Sequence, residues 1–184
     1  MSNPDPQQSF TATLSIDNKP VVLYQRAIQQ KLDDPQTSEE LHNFYQRKLE
    51  SGSTTNFLTF DEGLTPELFC FEYYDGVYII KIQGSNGEFT DTVSMEGELR
   101  NWSVYEGDDP THFRIKDNTG TVVKLDDTPF EGGYFLLYSG PQHRKVCTYG
   151  ELPSFPVITD YPNRGGRLAI FNLNIIKRST SNGH

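Results

Sequence analysis

The chain is short of the residues that usually classify a protein. Its 184 residues include two cysteines, two methionines and one tryptophan. Cys70 and Cys147 lie far apart, in no metal-ligand spacing, each in or beside an apolar run. A small core thiol is the expected role for each, with a single bridge as the alternative. No apolar run reaches the roughly 18 residues of a membrane-spanning helix, so no membrane span is expected. Met1-Ser-Asn-Pro-Asp-Pro also lacks the basic start and apolar stretch of a secretory signal. The expected location is cytoplasmic, or outside the cell by export without a cleaved signal peptide.

Basic residues are also scarce, 16 against 25 acidic ones, for a formal charge of −9. A phosphate backbone is repelled by such a field unless a local patch overrides it. Only Arg47-Lys48, Arg144-Lys145 and Lys177-Arg178 are locally basic, so nucleic acid is not an expected partner.

Catalytic motifs are missing as well. There is no Gly-x-Ser-x-Gly, no phosphate loop, no His-Glu-x-x-His and no paired-cysteine motif. His143 and Cys147 fall on a predicted turn and strand, where four residues span about 13 Å, too far for proton transfer. The run Glu106-Gly-Asp-Asp109 lacks the oxygen alternation of a calcium loop and reads as a solvated loop, and Asp126-Asp127 reads as a turn. No catalytic residue, metal ligand or cofactor is assigned, and the chain is not expected to be an enzyme.

Large aromatics are what the chain has: 12 Phe and 10 Tyr, set in short runs between 15 Gly and 11 Pro. Aromatic and β-branched residues favour strands, and this punctuation reads all-β. Residues 1–9 carry two prolines and no period, so a disordered lead-in is expected. From Phe10, Ala12, Leu14 and Ile16 alternate with Thr11, Thr13 and Ser15, the period of a half-buried strand, and Val21–Ile28 reads as a second strand. Thr37-Ser-Glu-Glu40, then Leu41, Phe44, Tyr45 and Leu49, then Gly52, predict one helix over about 38–51 within an insertion spanning 29–53.

Gly76-Val-Tyr-Ile-Ile-Lys-Ile82 and Gly133-Tyr-Phe-Leu-Leu-Tyr138 share a pattern, which points to internal repetition. Twelve predicted runs divide into three groups of four, with Phe57, Phe113 and Phe155 each at the second position of a third run. This organisation resembles the β-trefoil. The resemblance covers about 10–175 and implies one domain over 10–178, twelve short strands in three repeats with one helix inserted in the first, and a loose tail at 179–184. The rival architectures are an eight-stranded barrel around a ligand cavity and a β-sandwich.

Trp102 falls in a stretch read as an irregular polar segment, beside Asn101, Tyr105 and Asp108. An aromatic face with amide and carboxylate side chains is the set that grips a sugar. Tyr161-Pro-Asn163-Arg has similar ingredients. Sugar pockets recur in the loops of trefoil lectins, so the resemblance implies carbohydrate binding through Asn101, Trp102, Tyr105, Asp108, Tyr161 and Asn163. The Gln-x-Trp of ricin-type lectins is absent, and the competing role for Trp102 is to plug the barrel. The alternative function is a protein-binding trefoil, similar to a protease inhibitor, effector or toxin-associated module, with 29–53 as its contact surface.

Overall fold

The computed structural model describes residues 3–52, 56–124, 132–150 and 154–178. β1 (Asp5–Ile16) is followed by β2 (Lys19–Leu23), α1 (Tyr24–Asp33), α2 (Glu39–Ser51) and β3 (Leu58–Phe60). Then come β4 (Phe69–Tyr74), β5 (Val77–Ile82), β6 (Asp91–Glu96), β7 (Asn101–Tyr105) and β8 (Phe113–Lys116). β9 (Gly133–Ser139), β10 (Arg144–Lys145), β11 (Cys147–Tyr149), β12 (Val157–Thr159), β13 (Arg167–Leu168) and β14 (Phe171–Arg178) complete the order.

Six strands close a ring in which every neighbour is antiparallel. β1 pairs with β14 and β4, β4 with β5, β5 with β8, β8 with β9, and β9 with β14. The two similar glycine-led runs are β5 and β9, both staves of this ring. Closure leaves the ring no open edge. Its alternating apolar positions turn inward, and Phe10, Leu14, Phe71, Ile80, Leu137 and Leu173 fill the interior with side chains.

The remaining strands leave the ring in three excursions, β2–β3, β6–β7 and β10–β13, whose strands β3, β7 and β12 meet. Phe57 bridges Ser103, Thr159 pairs with Asn101, and Thr59 Oγ1 donates to the Pro156 carbonyl at 2.6 Å. Trp102 of β7 is fully buried against Phe69, Phe113 and Phe171, where β4, β8 and β14 begin. It therefore plugs that end of the barrel. A second, smaller core joins α1, α2 and the third excursion, where Phe155 stacks on Tyr45 at 5.5 Å and meets Tyr24 edge-on at 5.3 Å.

This architecture corrects the twelve-stranded trefoil with one helix. The described residues hold fourteen strands and two helices: a closed six-stranded antiparallel barrel with further strands outside it. Residues 121–124 form no strand beyond a single bridge from Val122 to Lys116, while β7 appears where an irregular segment was expected. The runs 144–149 and 167–175 each break in two. The phenylalanine period was consequently out of phase. Phe113 belongs to a barrel stave and the main core, whereas Phe57 and Phe155 precede outer strands and pack in the second core.

Two further boundaries change. β1 starts at Asp5, inside the expected lead-in, with Asp5 opposite Tyr73 of β4. The second predicted strand turns helical at Tyr24, because Tyr24, Ala27 and Ile28 bury one face at i, i+3 and i+4. α2 forms as expected, with Ser38 as N-cap accepting from Leu41 N at 3.3 Å and Gly52 left-handed at φ 66°. The tail at 179–184 and Asp126-Asp127 lie outside the described residues.

Candidate functional site

β7 carries most of the predicted site and splits it. Asn101 and Trp102 are buried at its start, and Tyr105, half-buried, is at its end about 13 Å away. Trp102 offers no face to a ligand, which corrects its assignment as the stacking ring. Asn101 is also inaccessible: its Oδ1 accepts from Arg164 Nη1 at 2.6 Å. That bond brings Asn101 to the loop bearing Tyr161 and Asn163, both exposed, as a structural clamp on the β12–β13 connection. Asp108 is exposed on the β7–β8 loop.

Beside this clamp lies a buried ion pair. Asp160, 1% exposed, receives Arg100 Nε and Nη2, both at 2.7 Å, together with the Ser139 hydroxyl. Bidentate geometry with a third donor compensates a carboxylate taken out of water. The same contact raises the Arg100 pKa, chiefly through the hydrogen bonds to Asp160. Arg100 is left-handed at φ 51°, an uncommon conformation for a side chain of its size, held by the turn that delivers it to Asp160.

Three open grooves run along the seams between the excursions. One, about 710 Å³, lies between the β1–β2 turn and β11–β13, with Asp17, Lys19, Tyr149 and Arg167 in its walls. Arg164 sits 4.8 Å over the Tyr149 ring, so one face of that exposed aromatic is already occupied. A second, about 640 Å³, is lined by Arg100, His112, Arg114 and Asp109. The third, about 750 Å³, lies between α1 and the β6–β7 hairpin and gathers Gln25, Gln29, Asn56, Asp91, Tyr105 and Glu106.

Only the third groove assembles an aromatic ring, amides and carboxylates together, and it includes Tyr105 from the predicted set. Its frame is fixed by backbone and charge. Val104 N donates to the Asn56 carbonyl at 2.9 Å, tying the two walls. Arg26 pairs with Glu67, which is 5% exposed, and its other terminal nitrogen donates to the Gln83 carbonyl at 3.2 Å. Burial pushes the Glu67 pKa up, and the Arg26 charge opposes that rise without cancelling it. Tyr105 folds back on Gly107, where an added Cβ would stand 2.2 Å from its hydroxyl, so the loop sets the ring's position.

No protein-family model, no curated protein and no solved structure matches this chain. Gln25, Gln29, Asn56 and Asp91 sit on three elements that converge only in space, and their spacing in the sequence carries no signature. The amide positions on α1 could have been found only by recognising that 24–33 is helical, which places Gln25 and Gln29 one turn apart.

Among the described residues no group of three or more His, Cys, Asp or Glu is placed to hold a metal ion. Both cysteines are free thiols. Cys147 has its pKa raised by burial, the opposite of an activated nucleophile, and its Sγ donates to the Lys145 carbonyl at 3.7 Å. No helix in the described residues is long and apolar enough to cross a membrane.

Proposed function

We propose that this protein is a non-enzymatic recognition module that binds carbohydrate, lectin-like, in the groove between α1 and the β6–β7 hairpin. The observation that carries this reading is the meeting of Tyr105, three amide side chains and two carboxylates in one open groove of about 750 Å³. Sugar hydroxyls both donate and accept, so they pair best with amides, which do both, and with carboxylates, which accept strongly. The rigid barrel beneath supplies a groove that needs little ordering on binding.

A glycan array of neutral sugars, displayed densely, tests it. Binding is expected, with affinity falling about tenfold in Asp91→Ala, the size of a lost charge-assisted hydrogen bond. Asp91 is exposed, so the variant should fold normally. Absence of binding to every displayed sugar would sink the reading.

A protein partner on α2 is the second reading. Leu41 is 36% exposed there, and Phe44, Arg47, Lys48 and Ser51 line a shallow cleft of about 530 Å³ on its outer face. Charge reversal at Arg47 and Lys48 should abolish that interaction while leaving sugar binding intact; unchanged partner binding would reject it.

A further inference from the structure

The outer wall of β8, β9 and β10 differs in charge from the rest of this acidic chain. On β9, Phe135, Leu137 and Ser139 face the core, and Tyr134, Leu136 and Tyr138 face out. Arg114 of β8 lies directly opposite Tyr138 on one side, and Lys145 of β10 directly opposite it on the other. Residues paired in register share a face, so both cations flank the same ring. Lys116, one outward position further along β8, places its Nζ 4.2 Å from the centre of the Tyr138 ring. Three cations thus surround one tyrosine within about 10 Å, two strand spacings.

Arg114 also lines the groove that holds Asp109, and its Nη1 donates to the Gly140 carbonyl at 3.3 Å. Among the described residues, Arg114, Lys116 and Lys145 have no carboxylate within 4.0 Å. Asp117, next to Lys116, directs its carboxylate onto its own turn, accepting from Thr119 and Thr121 backbone nitrogens at 2.9 Å each. His143, in the β9–β10 turn, reports the resulting field, since the Arg114 charge first, then burial, then Lys116 hold its pKa below the ordinary value. Four residues back along β9 on the same outer face, about 13 Å from Tyr138, Tyr134 is 65% exposed, the most open large apolar side chain among the described residues.

We infer that this wall is a second binding site, for the sulfate or carboxylate of an acidic oligosaccharide, with the anion held among Arg114, Lys116 and Lys145 and a further ring of the same oligosaccharide laid against Tyr134. The inference rests on the carbohydrate-binding reading for its ligand class. Charge complementarity selects the anion, and the exposed ring further along the strand selects a ligand long enough to bring an apolar sugar face to it. Nucleic acid fits less well. Specific phosphate-backbone binding commonly uses about 6–10 contacts, whereas this wall offers three cations on a chain of net charge −9.

The test compares one oligosaccharide backbone in neutral, sulfated and carboxylated forms, by calorimetry at low and high salt, on the full chain. At low salt at least one acidic form should bind about tenfold tighter than the neutral parent, and the advantage should shrink in about 0.5 M salt, where screening is nearly complete. Which acidic form binds tighter identifies the anion. The double variant Lys116→Gln, Lys145→Gln should lose the advantage while keeping its melting temperature and any affinity for the neutral parent. An advantage that survives in the double variant overturns the inference, as does equal affinity for all three forms. Single-stranded DNA binding as tightly as the best acidic sugar would also overturn it, by making the wall a general polyanion surface. If the neutral parent fails to bind and the acidic forms do, in a manner sensitive to the double variant, the groove reading fails and the wall stands.

Discussion

The barrel and the excursions obey different rules. In the barrel, inward residues alternate along each stave, and a single core runs from Phe10 through Phe71, Ile80 and Phe171 to Ile175. In the excursions, strands of two to six residues pair in short ladders, and side chains reaching other backbones tie the ladders together, as when Thr159 Oγ1 donates to the Leu99 carbonyl at 2.9 Å. Their apolar residues divide: Val21, Leu58, Val93, Met95, Trp102 and Ile158 join the main core, while Val22 and Phe155 enter the second, where Tyr24 of α1 and Tyr45 of α2 both pack on Phe155. The barrel supplies cooperative stability. The excursions supply the seams in which the grooves lie, and they can vary without disturbing the ring.

The largest expected effect tests where one region hands over to the other. Trp102 belongs to an excursion by sequence and to the barrel by packing, touching rings that start three staves. Trp102→Ala should lower stability by about 3–5 kcal/mol in denaturant unfolding, the cost of a large aromatic cavity in a closed core. Phe155→Ala in the second core should cost less, about 3 kcal/mol, the low end for a large aromatic, because two helices can shift inward to fill part of the space. If the two costs were equal, or their order reversed, the distinction between a rigid barrel and an accommodating second core would fall.

The next effect concerns the charge that pins an excursion to the barrel. Ser139 is the last residue of β9, Asp160 follows β12, and Arg100 ends the β6–β7 turn. Asp160→Ala would leave the Arg100 charge beside a cavity, while Asp160→Asn retains the shape and loses one charge. Stability should fall by about 3 kcal/mol for Ala, and by less for Asn. Equal losses would mean that the charge alone, and not the shape of the side chain, holds this junction.

The same division explains what the sequence could reveal. Alternation in Phe10–Ile16 and the shared pattern of Gly76–Ile82 and Gly133–Tyr138 expose barrel staves, because a stave has one face inside and one outside. β7 escaped for the opposite reason. Asn101, Trp102 and Ser103 are all buried, Trp102 against the barrel and its neighbours against β12 and the segment before β3, so no polar face announces a strand. Missing β7 and counting 121–125 as a strand shifted the repeat by one element and turned Trp102 from a plug into an imagined binding ring. Of the six predicted site residues, Tyr105 alone reaches the proposed groove, two of whose three amides come from a helix that the predicted strand Val21–Ile28 concealed.

The smallest effect compares two thiols, one in each region. Cys70 lies on the barrel strand β4, and burial first, then the Glu72 charge, raises its pKa from 9.0 to about 11, against an opposing pull from Lys81. Cys147 lies on the outer strand β11, also raised by burial but drawn back by Lys145. The thiolate is the reacting form, so at pH 8.5 a maleimide or iodoacetamide should modify Cys147 faster than Cys70, as intact-mass spectrometry would show. The raised pKa of Cys70 also has a sign in stability. Below pH 9 the thiol is protonated in both folded and unfolded chains; between 9 and about 11 only the unfolded chain loses its proton, so stability falls as pH rises through that window. Cys70→Ala should flatten the fall, and Cys147→Ala should flatten it less. Faster labelling of Cys70, or a pH profile indifferent to its removal, would show that the barrel wall shields its thiol no better than the outer strands shield theirs.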